Sequence, residues 1–429
     1  NKNNLNIIKI SLNRVTFLFL IFLSLVLIFS IKIIYLSLLP EKNLFFSSVN
    51  KNFIKKRADI VDRNGILLAR NVDIYSAGIN PKKVLDKKKL LINLKIIFPE
   101  IDSKEFINQF EGNKFFYIKK RLTDDEKTKL WLLGDKAIVF EKKQYRIYPQ
   151  KNLFSHVLGQ IDDDNIGISG IEKFYDENLK DVKKNNSPFY LTLDSNLQYL
   201  IREELVSAKK FFNQIGSAAL LMNVNNGEIL SLVSLPDYDL NKRFLFKDEI
   251  YTNKITKGVY ELGSVFKTFT VAAALENNII KTNTLFKDLK SKIFCAGRSI
   301  SEHDKLPKNL NTEEILIRSS NIGAVRIAQE IGIDKYKKFL NSLGIFETMN
   351  FDLEEIGTPL SFRWGKCKLA TASFGHGITT TPIQLAKAYA IIGNGGYKIN
   401  PRIVNDNKKI IDEKKKIISK NTSIQINSI

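Results

Sequence analysis

Ser264 and Lys267 are the pair on which chemistry can be built. They stand three apart in Leu262-Gly263-Ser264-Val265-Phe266-Lys267-Thr268, so on a helix they share one face, a turn apart. A serine hydroxyl becomes a useful nucleophile when a base takes its proton. A lysine serves as that base when an apolar pocket depresses its pKa enough to leave it neutral. The spacing by itself is common in this lysine-rich chain: Ser48 and Lys51 share it, as do Ser207 and Lys210. Such a pair is ordinarily a solvated helix or loop face. Three features set Ser264 apart: Gly263 before it, an apolar stretch after it, and Ser319-Ser320-Asn321 downstream.

The elements that must position these residues are legible in outline. Phe269-Thr270-Val271-Ala272-Ala273-Ala274-Leu275 is apolar on nearly every side, which predicts a buried helix. Its N-terminal dipole favours the negative charge that develops on an attacked carbonyl. Upstream, Asp194 or Ser195 can cap a helix. Leu197, Leu200, Ile201, Leu205, Ala208 and Phe212 then fall at helical spacing and are expected to form its buried face. Two apolar runs, 217–224 and 228–234, flank Asn225-Asn226-Gly227, a strong hairpin signal. Downstream, 322–332 and 382–391 have helical spacing. Gly375 and Gly377 on either side of His376 mark a sharp bend. Helix, hairpin, buried helix and further helices describe an α+β domain with a helical lobe.

The chain has 429 residues, enough for two domains and an anchor. Its net charge is +21, from 66 basic and 45 acidic residues. Only 13 of the basic residues are Arg, whereas a phosphate-reading protein leans on Arg. The lysine excess is read as a compositional bias rather than as nucleic-acid binding. Three His and two Cys give no metal-ligand cluster, and neither a metal nor a cofactor is expected. Cys295 and Cys367 could pair in an oxidising compartment, but the plainer expectation is two small buried residues.

Residues 15–31 are uncharged and mostly apolar, and the apolar character resumes over 33–39 after Lys32. Such a run suffices for one membrane span. Lys2, Lys9 and Arg14 precede it and no acid does, which keeps the N-terminus cytoplasmic and places the remainder outside. We expect a cytoplasmic tail over 1–14, an uncleaved anchor over 15–39 and a polar stalk over 41–56. The box from Arg57 to Gly65, with Asp62 and Arg63, holds an Asn-Gly turn followed by a strand from Ile66 to Ala69. By itself it has no assigned role. Arg146-Ile147-Tyr148-Pro149 and the run from Gly167 to Tyr175, with Gly170 and Glu172, read as ordered turns. A composition shift near 184–188 separates a domain over 40–188 from one over 189–429.

Ser-x-x-Lys, then Ser-x-Asn, then Lys-Thr-Gly is the motif series of penicillin-interacting serine enzymes. With the boxes above in order, the chain resembles a class B penicillin-binding protein of the division-specific, FtsI type. The resemblance implies a membrane helix, a mixed pedestal or dimerisation domain, and a transpeptidase domain with an antiparallel sheet and a helical lobe. It implies peptidoglycan D,D-transpeptidation at the septal wall. Ser264 would attack a D-Ala-D-Ala stem peptide, or a β-lactam that mimics it. Lys267 would act as base, Ser319 would relay the proton, and Asn321 would hold Lys267 and the substrate amide. Gly375, His376 and Gly377 would lie near the substrate. Arg57, Asp62, Arg63, Gly65, Arg146, Gly170 and Glu172 would be structural in the pedestal. Partners would be an FtsW-type glycosyltransferase and other septal membrane proteins, at the bacterial inner membrane.

The Lys-Thr-Gly motif does not occur before Ile429, and the chain opens on Asn1. The expectation is a truncated chain with an incomplete sheet, loss of activity, and water reaching Lys267. Rival readings are an elongation-type relative, a β-lactam sensor or anchored β-lactamase, and a non-catalytic division scaffold.

Overall fold

The computed structural model describes residues 2–38, 57–112, 114–181, 187–242, 248–405 and 415–429. The chain divides into two compact units, Asn1–Ile54 and Lys55–Ile429. In the first, helix α1 (Lys2–Leu38) contains Arg14–Ile34, a 21-residue stretch long and apolar enough to cross a membrane. At 1.5 Å per residue it reaches roughly 32 Å. The expected stalk over 41–56 lies outside the described residues.

The second unit opens with the hairpin expected around Asn64-Gly65. Strands β1 (Ile60–Val61) and β2 (Leu67–Ile79) pair antiparallel, and Gly65 turns the chain with φ of 85°. β2 runs ten residues past the expected end at Ala69. Helices α2 (Lys87–Ile97) and α3 (Ser103–Glu111) follow, then β3 (Phe116–Lys119), α4 (Asp124–Leu132) and β4 (Ile138–Ile147). β4 pairs antiparallel with β2 from Arg70–Ile147 to Ile79–Ile138, and β3 pairs with the far end of β2. Asp86, Asp102 and Thr123 cap the three helices by accepting backbone N–H bonds. Leu90, Leu94, Phe106, Phe110 and Leu130 bury themselves with Ala77, Ile79 and Ile138.

Short helices α5 (Ser155–Leu158), α6 (Gly170–Phe174) and α7 (Asp176–Lys180) pack beneath this sheet, and β5 (Phe189–Tyr190) runs parallel to β1. Here the charged boxes acquire a role. Glu172 is fully buried between two guanidiniums: Arg57 Nε donates to Oε2 at 2.5 Å and Arg146 Nε to Oε1 at 2.7 Å. Arg57 Nη1 also donates to Asp176 at 2.6 Å, and Arg146 Nη1 to the Ala58 carbonyl at 2.8 Å. Lys180 Nζ donates to the other Asp176 oxygen at 2.7 Å, so three cations face two carboxylates, and pairing of this kind is the condition for burying such charges at all. Asp62 is likewise buried: its Oδ1 accepts from Asn64 and Ile66, and its Oδ2 from the N–H of Ser195. The first box therefore grips the start of the next helix.

That helix is α8 (Ser195–Phe212), capped by Asp194 as expected. The expected apolar face forms in part: Leu197, Ile201, Leu205 and Ala208 are half-buried, whereas Leu200 and Phe212 are 59% and 67% exposed, and the fully buried positions are Ser195 and Gln198. Gln198 decides the helix rotation. Its amide donates to the carbonyls of Leu153 and Leu232 and accepts from Ser231 and Leu232. A buried amide must be paired in this way, so that face turns inward. The hairpin forms as expected, from β6 (Ser217–Met222) and β7 (Ile229–Leu235), with Gly227 at φ of 73°.

The remainder is mostly helical. After α9 (Asp248–Tyr251), a 3-10 turn (Gly263–Val265) leads into α10 (Phe266–Glu276). Short strands β8 (Leu285–Phe286), β9 (Lys292–Cys295), β10 (Arg298–Ser301) and β11 (Leu310–Asn311) follow. Then come α11 (Thr312–Ile317), α12 (Asn321–Ile331), α13 (Ile333–Ser342), α14 (Lys366–Ala372), α15 (Pro382–Gly393) and α16 (Lys420–Ser428). As its composition predicts, α10 is buried almost throughout and forms the centre of this lobe. Phe266, Phe269, Val271 and Ala272 to Ala274 pack among Val325, Ile327, Tyr336 and Leu340. The cysteine expectation is corrected as well. Cys295 and Cys367 are half-buried and joined as a disulfide that ties β9 to α14.

Candidate active site

The 3-10 turn presents Ser264 at the surface, while Lys267, one turn on, is only 2% exposed. Lys267 Nζ lies 3.0 Å from Ser264 Oγ, 2.8 Å from Ser319 Oγ and 2.6 Å from the Ser319 carbonyl. Three N–H donors of an ammonium thus meet three neutral oxygens. A neutral amine in the same place donates two of these bonds to Ser319 and turns its lone pair to Ser264 Oγ, the arrangement a general base requires. Burial lowers the Lys267 pKa to about 8, while the Glu302 carboxylate acts to raise it. Roughly one lysine in ten is then neutral at pH 7, against about one in three thousand for an ordinary lysine. One expectation changes here: Lys267 is dry rather than wet, and it is neutral in a minority of molecules at pH 7.

Ser319 sits just before α12 with φ of 54°, a left-handed conformation that costs a non-glycine residue about 1 kcal/mol or more. Both its carbonyl and its hydroxyl bond Lys267 from this conformation. Asn321 does not hold Lys267 as expected. Its Nδ2 donates to the Ser301 carbonyl at 2.9 Å, because as the first residue of α12 it faces the end of β10.

The expected bend at Gly375, His376 and Gly377 braces the turn that carries Ser264. Gly375 has φ of 78°, and a Cβ there would lie 2.0 Å from the Gly263 carbonyl, so only glycine permits this approach. His376 Nδ1 lies 3.1 Å from the Glu261 carboxylate, three residues before Ser264. Lys368 Nζ donates to the Gly377 carbonyl at 2.7 Å.

Several supports carry no motif. Tyr389 Oη donates to the Val265 carbonyl at 2.8 Å and bonds Thr268 Oγ1 at 3.0 Å, closing one side of the turn. Thr270 joins α10 to Tyr336 of α13 and to the Ser373 carbonyl. An open cleft of about 620 Å3 lies beside Ser264, lined by Val265, Thr268, Leu316, Ile317, Tyr389 and Ile392, and by Ile426, Asn427 and Ile429 in and after α16. That volume suits the end of a peptide. Among the described residues no His, Cys, Asp or Glu cluster suited to a metal occurs. The site can therefore form an acyl ester on an exposed serine, using a buried amine behind it.

Two family models match the chain: the penicillin-binding protein dimerisation domain over residues 55–187 and the penicillin binding protein transpeptidase domain over 217–429. The chain belongs to the class B penicillin-binding proteins, and is of the FtsI type. Among its relatives is the probable peptidoglycan D,D-transpeptidase FtsI of Caulobacter vibrioides. The two are 32% identical over 342 residues, covering 79% of this chain and 58% of that protein. Stage V sporulation protein D of Bacillus subtilis is 28% identical over 392 residues, covering 84% and 60%. The peptidoglycan D,D-transpeptidase FtsI of Escherichia coli is 28% identical over 378 residues, covering 79% and 63%. The chain thus spans about six-tenths of the length of these relatives. The dimerisation-domain match covers the boxes from Arg57 to Asp176, which the reading as a β-lactam sensor or anchored β-lactamase leaves unexplained.

Proposed function

We propose that the protein is a serine-type peptidoglycan D,D-transpeptidase that cross-links septal wall. Ser264 Oγ attacks the carbonyl of the penultimate D-Ala of a stem peptide while its proton passes to neutral Lys267. The C–N bond then breaks. Terminal D-Ala leaves with a proton relayed from Lys267 through Ser319, and an acyl ester remains on Ser264. An amine of a neighbouring strand attacks that ester, forms the cross-link and returns the serine. A β-lactam enters the same path but acylates without a departing group. The observation that carries this reading is the contact of an exposed serine with a buried lysine whose other bonds go to Ser319.

In this reading 1–14 is cytoplasmic, 15–39 is the anchor, 40–188 the pedestal and 189–429 the transpeptidase domain, outside the bacterial inner membrane. An FtsW-type glycosyltransferase and other septal membrane proteins are its partners. Gly375, His376 and Gly377 border the substrate, and Asn321 contacts its amide. The test is to supply the protein, with a polymerase, on precursors carrying D-Ala-D-Ala stems. Free D-alanine and dimeric muropeptides are expected, and both should vanish in Ser264→Ala. Equal release by Ser264→Ala would overturn the proposal.

A further inference from the structure

We propose that Glu302 is a positioning residue of this site, holding the Ser319–Asn321 turn in the shape on which Lys267 rests. The role rests on the acyl-transfer reading above, although the contacts stand independently of it. Glu302 Oε2 accepts from the N–H of Asn321 at 2.7 Å. Oε1 accepts from the N–H of Ile322 at 3.0 Å and from Ser320 Oγ at 2.6 Å. The first N–H groups of a helix have no partner within it, and a carboxylate is the strongest acceptor for them. Ser320 Oγ in turn accepts from the N–H of Gly323 at 2.9 Å. One carboxylate therefore pins three consecutive residues directly after Ser319.

Ser319 needs that support. Its left-handed φ is unfavourable for serine, yet in this conformation both its oxygens meet Lys267 Nζ. If 320–322 are released, the turn can relax and one or both acceptors leave the lysine. Glu302 is delivered by the β9–β10 hairpin, which ends at Ser301. That hairpin is anchored twice. Asn321 Nδ2 donates to the Ser301 carbonyl, and Cys295 is bonded to Cys367 of α14. α14 leads to Gly375, packed on Gly263 beside the nucleophile. The two walls of the site are thereby braced against each other through Glu302.

Glu302 also acts through charge. It is the charged group whose field reaches Lys267, and it favours the ammonium. The groups in direct contact with Nζ, from the 3-10 turn and from the turn before α12, are uncharged oxygens of Ser264 and Ser319. Glu302→Gln therefore has two separable consequences. Displaced Ser319 slows acylation by between about tenfold and a hundredfold, the usual effect of a small misplacement. The lost negative charge moves the Lys267 titration to lower pH. A variant that merely loosens the fold hydrates the lysine and moves it the opposite way.

The experiment uses the full chain in detergent. Acylation by fluorescent penicillin is followed from about pH 6 to pH 10, with melting curves. In parallel, the titration midpoint of Lys267 is read by mass spectrometry from its competitive reaction with acetic anhydride, which needs no enzymatic turnover. Glu302→Gln should lower the rate and the midpoint together. Glu302→Asp, which keeps the charge but shortens the reach, should lower the rate and leave the midpoint near that of the native protein. An unchanged rate and midpoint in Glu302→Gln would overturn the assignment. So would a raised midpoint accompanied by a lower melting temperature. If the native protein takes no penicillin but the midpoint still falls in Glu302→Gln, the transpeptidase reading fails while the hold of Glu302 on the site stands.

Discussion

Removing the Cys295–Cys367 bridge should cost stability of a size that its position in the chain fixes. The two residues are 72 apart in sequence. In the chain-entropy treatment, opening a loop of that length returns roughly 4 kcal/mol to the unfolded chain at 25 °C. For a compact unit the size of Lys55–Ile429, at about 2.1 cal/mol/K per residue, the unfolding entropy is roughly 0.8 kcal/mol/K. The melting temperature should then fall by about 5 °C. The perturbation is Cys295→Ser with Cys367→Ser, compared with reduction of the native protein by a phosphine. The assay is thermal unfolding followed by intrinsic fluorescence. The double variant and the reduced protein should agree with each other, and the reductant should not move the double variant further. Acylation should slow as well, because the hairpin carrying Glu302 loses one of its two anchors. A melting temperature unchanged by both treatments would refute the loop argument and the bridge itself.

Other consequences follow from the same contacts. Lys267→Arg keeps the charge but cannot serve as a base, so acylation should fall by at least about a hundredfold, and a near-normal rate would remove Lys267 from that role. Because only the neutral amine is competent, the native rate should rise about tenfold between pH 7 and pH 9, levelling above the lysine pKa of about 8; a flat profile in stopped-flow acylation would contradict this. Glu172→Gln leaves Arg57 and Arg146 buried around a neutral group and should destabilise the unit by about 3–5 kcal/mol in denaturant titration. A loss within experimental error would mean that the cluster is dispensable. A phosphatase fused after residue 60 should be active only outside the cytoplasm, given Lys2, Lys9 and Arg14 before the apolar run; activity confined to the cytoplasm would reverse the orientation.

The parts that were legible in the sequence are those set by local periodicity. Ser264 and Lys267 touch because residues three apart on a helical turn must be neighbours. The α10 stretch is buried because no face of it is polar. Asn225-Asn226-Gly227 turns because its backbone needs φ above zero. What escaped depends on partners far away in the chain. Gln198 turns α8 inward through bonds to Leu153, Ser231 and Leu232, and apolar spacing cannot reveal which polar residue is paired. Arg57 meets Glu172 across 115 positions, so composition shows only charge there; the resemblance alone marked both as structural. Asn321 was assigned to Lys267 by motif, whereas the start of α12 aims it at Ser301. Glu302 and Tyr389 belong to no motif, and their value lies wholly in where β10 and α15 end up.

The central claim is that Ser264 is an acylable nucleophile with Lys267 behind it. It is tested most directly by incubating the protein with benzylpenicillin, measuring the intact mass and mapping the modified peptide. One penicilloyl group per chain is expected, on the peptide containing Ser264, with no adduct in Ser264→Ala. An adduct on any other residue, or none on the native protein under conditions where it is folded, would contradict it.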